Sequence, residues 1–584
     1  MILFRIFRDS LENRHTLDTF YLYDRYQIVD EFTISPLIRN SKKVLAGVRA
    51  FLHAEVWQIS VNKFPGNIKR IFGEKGDRKG KLLYNGLILG KKRPDGHSAS
   101  ISFTLYRIRR QMDVESVRCT ILQGSFMEML KKLFEPVDMT EGSPWKKIVL
   151  FTVPMLIGNI AQQLYNTVDS VVVGNYVGDN ALAAVGSAGP ILNLLIVLFV
   201  GISVGAGIMV SQYFGAKERE ELSATIGNCI TLTLLATVFV MVAASLVARP
   251  LLELLDTPES IIDWCHSYLL ILFIGSGGLA FYNILSGILR GLGDSMSALV
   301  YLLVSTVINI VLDLVFVAKL EMGVNGVALA TVIAQAVSAL LCLFKLMRMT
   351  ELFDLKPQYL KLRNKYTVKI VQLGLPSGIT QAILSMAMIV VQSLTNSFGE
   401  MFIAANVIIM RVDGFAMMPN FSFGTAMTTY AGQNVGARMY DRVEKGAKQG
   451  TAIAMGTSAV LTGLILIFGK TLMGIFTKTP ELVELSREMM GILAVGYIAM
   501  AVTQSLSGVM RGAGDTMTPM WISIVTTICI RVPVAYGIAW LTRSAEFPGG
   551  RQECIFISLL TSWVLGALIT FFFYKRGKWK EKAV

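Results

Sequence analysis

From residue 148 onward the chain alternates long apolar runs with short polar loops. Twelve runs stand out, over 148–173, 187–212, 223–247, 267–289, 297–317, 324–346, 367–396, 403–430, 451–469, 489–510, 518–541 and 555–574. At 1.5 Å per residue each is long enough to cross a hydrocarbon core about 30 Å thick. Backbone polar groups inside lipid must be satisfied within the segment, so the runs are expected to be helices. The pattern therefore predicts an all-α integral membrane protein with twelve transmembrane helices. Residues 1–126 differ: basic clusters such as Lys75 to Lys81 and Lys91 to Arg93 interrupt every candidate run, and Met1 to Arg14 carries charges throughout. That excludes a spanning helix or a secretory leader there. The segment is read as a basic N-terminal extension. It is either poorly ordered, translated upstream of a true start at Met127 or Met139, a cytoplasmic tail, or a small folded domain.

The apolar runs contain a repeat. Ser211-Gln212-Tyr213-Phe214-Gly215-Ala216 after the second run is echoed by Gly432-Gln433-Asn434-Val435-Gly436-Ala437 after the eighth. Arg290-Gly291-Leu292-Gly293-Asp294-Ser295 after the fourth is echoed by Arg511-Gly512-Ala513-Gly514-Asp515-Thr516 after the tenth. Pro154 and Pro376, early in runs one and seven, fit nearly the same offset. The chain thus reads as two pseudo-symmetric six-helix lobes: an N-lobe over 127–347, a cytoplasmic linker over 348–366 and a C-lobe over 367–584. Each lobe has an even number of helices, so the copies lie parallel about an axis along the membrane normal. Parallel halves around a central cavity are a transporter plan.

Composition agrees with the bilayer as the main partner. The 584 residues are 53% apolar and 16% charged, with mean hydropathy +0.54, whereas soluble proteins are about 25% charged. The net charge of +14 suggests nucleic acid at first, but most of it falls in residues 1–126. The remainder gathers on one set of loops: Lys131, Lys132, Lys146 and Lys147, then Lys217 and Arg219, the Lys345 to Lys369 cluster, Arg438 to Lys448, and Lys575 to Lys582. The positive-inside rule places these loops and both chain ends in the cytoplasm, and no nucleic acid partner is expected. Cys119, Cys229, Cys265, Cys342, Cys529 and Cys554 show no paired spacing, which excludes a disulfide framework or thiolate metal site.

Charges inside the runs carry the candidate chemistry, because an ionisable group at the centre of a spanning helix costs about 2.5 to 3.5 kcal/mol on insertion scales. Asp169 lies late in the first run and Asp313 late in the fifth, with Asn309 one turn before it on the same face. Gln162 and Tyr165 precede Asp169 by seven and four residues, a polar stripe suited to facing a cavity. The competing reading leaves both acids solvated at the membrane boundary. At the repeat offset the C-lobe has Val390, Ile530 and Val534 instead, so this chemistry belongs to one lobe. Carboxylate, amide and hydroxyl oxygens suit a hard cation, and a desolvated carboxylate pair equally holds a proton.

Other features are less decisive. Arg531 within the eleventh run either faces the central cavity, favouring anionic groups, or snorkels. Met386, Met388, Met410, Met417, Met418 and Met427, with Phe415, Phe421 and Phe423, form a candidate apolar wall, although lipid-facing or packing roles suit them too. The doubled Gly-x-Gly-Asp, with Asp294 and Asp515, invites an intramembrane aspartyl protease. A glycine turn followed by a helix cap beside a loop arginine explains it more simply.

Residues 148–584 resemble the multidrug and toxic compound extrusion (MATE) transporters, most closely their DinF-like branch. The resemblance is carried by Pro154, Gln162, Tyr165 and Asp169, by Val177-Gly178 and the Ala181 to Gly186 stretch, by both Arg-Gly-x-Gly-Asp turns, and by Asn309 to Asp313. It implies an N-lobe site for Na⁺ or H⁺ at Asp169, Asn309, Asp313 and Thr331, and a helix bending at Pro154. Gln162 and Tyr165 belong to the expected cavity or gate. It further implies a monomeric, non-enzymatic, cofactor-free antiporter of the inner membrane that exports small organic compounds, cationic ones among them. Runs seven and ten contain no acid, unlike MATE branches that place cation-binding acids there. A lipid or lipid-linked oligosaccharide flippase is the alternative; its cavity would need several inward cationic groups, of which Arg531 and Arg411 are the candidates.

Overall fold

A computed structural model describes residues 135–255, 257–544, 547 and 549–582. The expectations for residues 1–126 lie outside them. The described residues are helical, without a strand. The first half contains α1 (Pro144–Tyr176), α2 (Asp179–Ala216), α3 (Arg219–Leu254), α4a (Glu259–Ile274), α4b (Ser276–Gly291), α5 (Ser295–Asp313) and α6 (Gly323–Arg348). The second contains α7 (Asn364–Asn396), α8 (Glu400–Gly436), α9 (Tyr440–Met473), α10a (Pro480–Ala494), α10b (Gly496–Gly512), α11a (Met517–Ile524), α11b (Val532–Leu541) and α12 (Cys554–Arg576).

Ten spans are continuous by length and hydropathy, and two are bent, by 50° between α4a and α4b and by 41° between α10a and α10b. Counting each bent pair once gives, among the described residues, twelve transmembrane helices in two lobes. Most helices extend a few residues beyond the apolar runs at one or both ends. Apolar side chains facing away from the protein, among them Phe239, Leu246 and Ile467, form the surface that lipid covers.

Two helices tie the lobes together. Ile148 and Phe151 near the start of α1 are buried among Met427, Tyr430 and Val509 of the second half. Tyr366, Ile370 and Leu373 near the start of α7 are buried among Met209, Ile226 and Leu289 of the first. Residues 349–363 lie along α3 rather than away from it. Arg363 N donates to Asn228 Oδ1 at 2.7 Å and Thr231 Oγ1 to the Leu360 carbonyl at 2.6 Å. Arg219 pairs with Asp354 at 3.0 Å and holds that carboxyl below the usual range.

The face bearing the basic loops is also where the lobes lock. Gln212 Nε2 donates to the Gly512 carbonyl at 2.8 Å, and Gln433 Nε2 donates to the Gly291 carbonyl at 3.1 Å. Each glutamine of one repeat thus reaches the glycine turn of the other. A Cβ on Gly215 would stand 1.9 Å from the Gln433 carbonyl oxygen, and one on Gly436 would stand 1.9 Å from that of Gln212. Only glycine permits this approach. The doubled motif seen in the sequence is therefore the contact surface between the lobes.

Candidate functional site: a buried carboxylate pair in the first lobe

Asp169 stands late in α1, Asn309 and Asp313 in the last turns of α5, and Thr331 in the third turn of α6. Packing of α1 and α6 against α5 brings the four together. Asn309 and Asp313 are 0% exposed and Asp169 is half-buried, so Asp313 is not a solvated boundary acid. With its NH2 turned toward the acids, Asn309 donates to Asp169 Oδ1 at 2.9 Å and to Asp313 Oδ2 at 3.3 Å. The opposite orientation would set oxygen against oxygen. Tyr165 donates its hydroxyl to Thr331 Oγ1 at 3.1 Å, so Tyr165 belongs to this cluster.

Asp313 Oδ1 is buried with no hydrogen-bond partner. A buried carboxylate oxygen left unsatisfied is costly, and either a proton on it or a bound cation would remove the cost. Asp313 also ends the regular α-helix, since Leu314–Lys319 continue as a π turn, a local irregularity common at functional positions. Two other expected residues stand apart. Pro154 is buried in α1, fifteen residues or about 22 Å along the helix from Asp169. Gln162 is exposed and joins none of the cluster's hydrogen bonds. Asp294 and Asp515 cap helices: Asp294 Oδ1 accepts from Ser297 N at 2.8 Å, and Asp515 Oδ1 accepts from Thr518 N at 3.2 Å.

The sequence reading overlooked a third intramembrane acid. Asp413 on α8 accepts a hydrogen bond from the Tyr497 hydroxyl at 2.9 Å, and Arg531 is its cationic neighbour. Arg531 is 7% exposed and lines a cavity between the lobes, so it does not snorkel. Arg290 and Arg511, assigned to the loops from sequence, line the same cavity, whereas Arg411 is exposed elsewhere. Of the expected methionine and phenylalanine wall only Phe421 lines it; Met386 and Met388 face outward. The carboxylate cluster is separate from this cavity, as none of its residues contributes to the wall.

The family model MatE matches residues 154–315 and 376–537, one match per repeat. The probable multidrug resistance protein YoeA of Bacillus subtilis (strain 168) is 30% identical over 449 residues, covering 76% of this chain and 96% of the relative. The probable multidrug resistance protein YpnP of the same organism is 28% identical, covering 76% and 97%. A solved structure described as an outward-facing conformation of a multidrug resistance MATE family transporter superposes with TM-score 0.72 at 24% identity, covering 76% and 99%. The chain belongs to the MatE family.

Proposed function

We propose that this protein is a cation-coupled antiporter that exports small organic compounds by alternating access, and is not an enzyme. Arg290, Arg511 and Arg531 give the cavity the several inward cationic groups that flipping of a lipid-linked glycan would also need, so the preference for export rests on the relatives named as multidrug resistance proteins. The observation that carries the coupling is the unpartnered Asp313 oxygen, buried beside Asp169 and Asn309 in one lobe and away from the inter-lobe cavity. Na⁺ or H⁺ entering from outside binds Asp169, Asn309, Asp313 and Thr331, with Tyr165 fixing Thr331. Its binding favours outward substrate release, and it is then discharged inside. A proton can sit on Asp313 Oδ1 with Asn309 as it stands. Na⁺ would instead be met by the Asn309 carbonyl oxygen, in the opposite orientation of the amide.

In this reading the protein works as a monomer in the inner membrane, with the basic face and both chain ends in the cytoplasm. Closure of that face by the glutamine and glycine contacts then corresponds to a state shut toward the cytoplasm. Proteoliposomes with separately imposed Na⁺ and pH gradients test the coupling. Asp169→Asn and Asp313→Asn should each lower gradient-driven efflux at least about tenfold, equivalent to about 1.4 kcal/mol. Efflux retained by both variants would exclude these residues as the coupling site.

A further inference from the structure

The inter-lobe cavity has a volume of about 340 Å³ and draws its wall from α2 and α4b of the first lobe and from α7, α8, α10b, α11a, α12 and the turn before α11b of the second. Three wall residues are arginines, Arg290, Arg511 and Arg531, and none is Asp or Glu. Among the described residues no carboxylate forms an ion pair with any of the three. Arg290 donates to Ser286 Oγ at 3.2 Å, which leaves its charge uncompensated. Arg531 is more than nine-tenths buried and its Nε has no hydrogen-bond partner. Asp413, the acid nearest in effect to Arg531, is engaged by Tyr497 and contributes nothing to the wall.

Like charges gathered in a cavity of low dielectric repel one another, and each guanidinium withdrawn from water seeks a counter-charge. An organic cation entering would meet three arginines, offset only in part by Asp413 behind Arg531. A carboxylate, sulfonate or phosphate would accept the free N–H donors, an arrangement for which the planar guanidinium is suited. The rest of the wall offers Thr380, Thr503 and Gln504 for single hydrogen bonds and Phe421 and Trp563 for an aromatic body. We propose that this cavity binds amphiphilic organic anions, an aromatic or apolar body bearing an acidic group, with Arg531 and Arg511 as the principal anchors. This deepens the exporter reading by naming the substrate class, and it rests on that reading for the cavity being the transport site.

Binding to the purified full chain in detergent tests the proposal with two dyes sharing one tricyclic scaffold, anionic fluorescein and cationic rhodamine 123, followed by fluorescence anisotropy. The expected result is at least tenfold tighter binding of fluorescein. Arg531→Gln and Arg511→Gln should each weaken fluorescein at least fivefold while leaving rhodamine 123 unchanged or tighter. Equal or weaker binding of fluorescein by the unmodified protein overturns the proposal without recourse to a variant. So does unchanged fluorescein affinity in both variants when their thermal unfolding matches that of the parent. Competition separates the sources of the anion. Displacement by sodium benzoate assigns the cavity to a free organic anion, and displacement by dihexanoylphosphatidylglycerol alone assigns it to a lipid headgroup. The assay uses no gradient, so it reads the cavity whether or not Asp169 and Asp313 couple to a cation.

Discussion

Asp413 shows what a single side chain can hide in a sequence. Asp169, Asn309 and Asp313 were legible because two of them share a helix face one turn apart and stand in otherwise apolar runs. Thr331 came only through resemblance, since one threonine in an apolar helix carries no signal of its own. Asp413 has no polar partner one turn away; its partner Tyr497 is 84 residues later, a contact made only by folding. Arg290 and Arg511 were misplaced because an arginine beside a glycine turn looks like a loop residue, while its long side chain reaches back into the cavity. Asp413 is the negative neighbour of Arg531, so Asp413→Asn should raise the positive potential at Arg531 and tighten fluorescein at least about threefold, or about 0.7 kcal/mol, a part of the roughly 2 kcal/mol that one charge exerts over about 8 Å at an effective dielectric near 20. The amide oxygen introduced by that substitution can still accept from the Tyr497 hydroxyl, which separates this effect from lost packing. Unchanged or weaker affinity would show that Asp413 does not set the field at Arg531.

The number and order of the helices followed from hydropathy, because the bilayer demands apolar length and internal hydrogen bonding from every span. Bends did not, since Gly275 and Gly496 are single small residues in helices rich in them. They do fall at equivalent positions of the repeat, between α4a and α4b and at the start of α10b. The π turns after Asp313 and before Val532 were equally invisible, and each places a buried charge, Asp313 or Arg531, at its seam. The repeated Gln and Gly motifs were visible as repetition without purpose until the lobes were seen to meet through them. Those contacts make a mechanical prediction. Gly215→Val or Gly436→Val drives a side chain into a carbonyl of the opposite lobe and should open the basic face. With Thr428→Cys as reporter in the cavity wall and the native cysteines removed, an impermeant maleimide applied to that face should label at least about tenfold faster, a shift of about 1.4 kcal/mol. Gly456→Val on α9 is the control: its Cβ meets nothing within 4 Å, so it loses the same helix propensity without a wedge. Equal labelling in the two backgrounds would remove the glycine contact as a gate.

At the scale of the molecule, near-symmetry in architecture carries asymmetry in charge. The two lobes share helix order, bends, glycine turns, the reciprocal glutamine bonds and the matched pair Arg290 and Arg511, yet the paired carboxylates sit in the first lobe and Arg531 in the second, where the first has Ile310. Under the proposed mechanism the ion and the substrate would occupy separate sites, linked through α1 and α7, each buried at its start in the other half's core. Direction depends on which way this body stands in the membrane. Lys217, Arg219, Arg438, Arg442, Lys445 and Lys448 lie at the locked face, with Lys575, Arg576 and Lys578 at the end of α12. The opposite loops mix signs, as in Arg249 paired with Glu253 and Asp263. Short loops rich in Lys and Arg stay on the cytoplasmic side, so a fluorescent protein fused after Lys582 should mature and glow, and alkaline phosphatase at the same point should be inactive. Alkaline phosphatase inserted at Gly549, in the loop between α11b and α12, should be active. The reverse pattern would set the locked face outward, and the closed state would then shut the cavity from the outside and point the proposed transport inward.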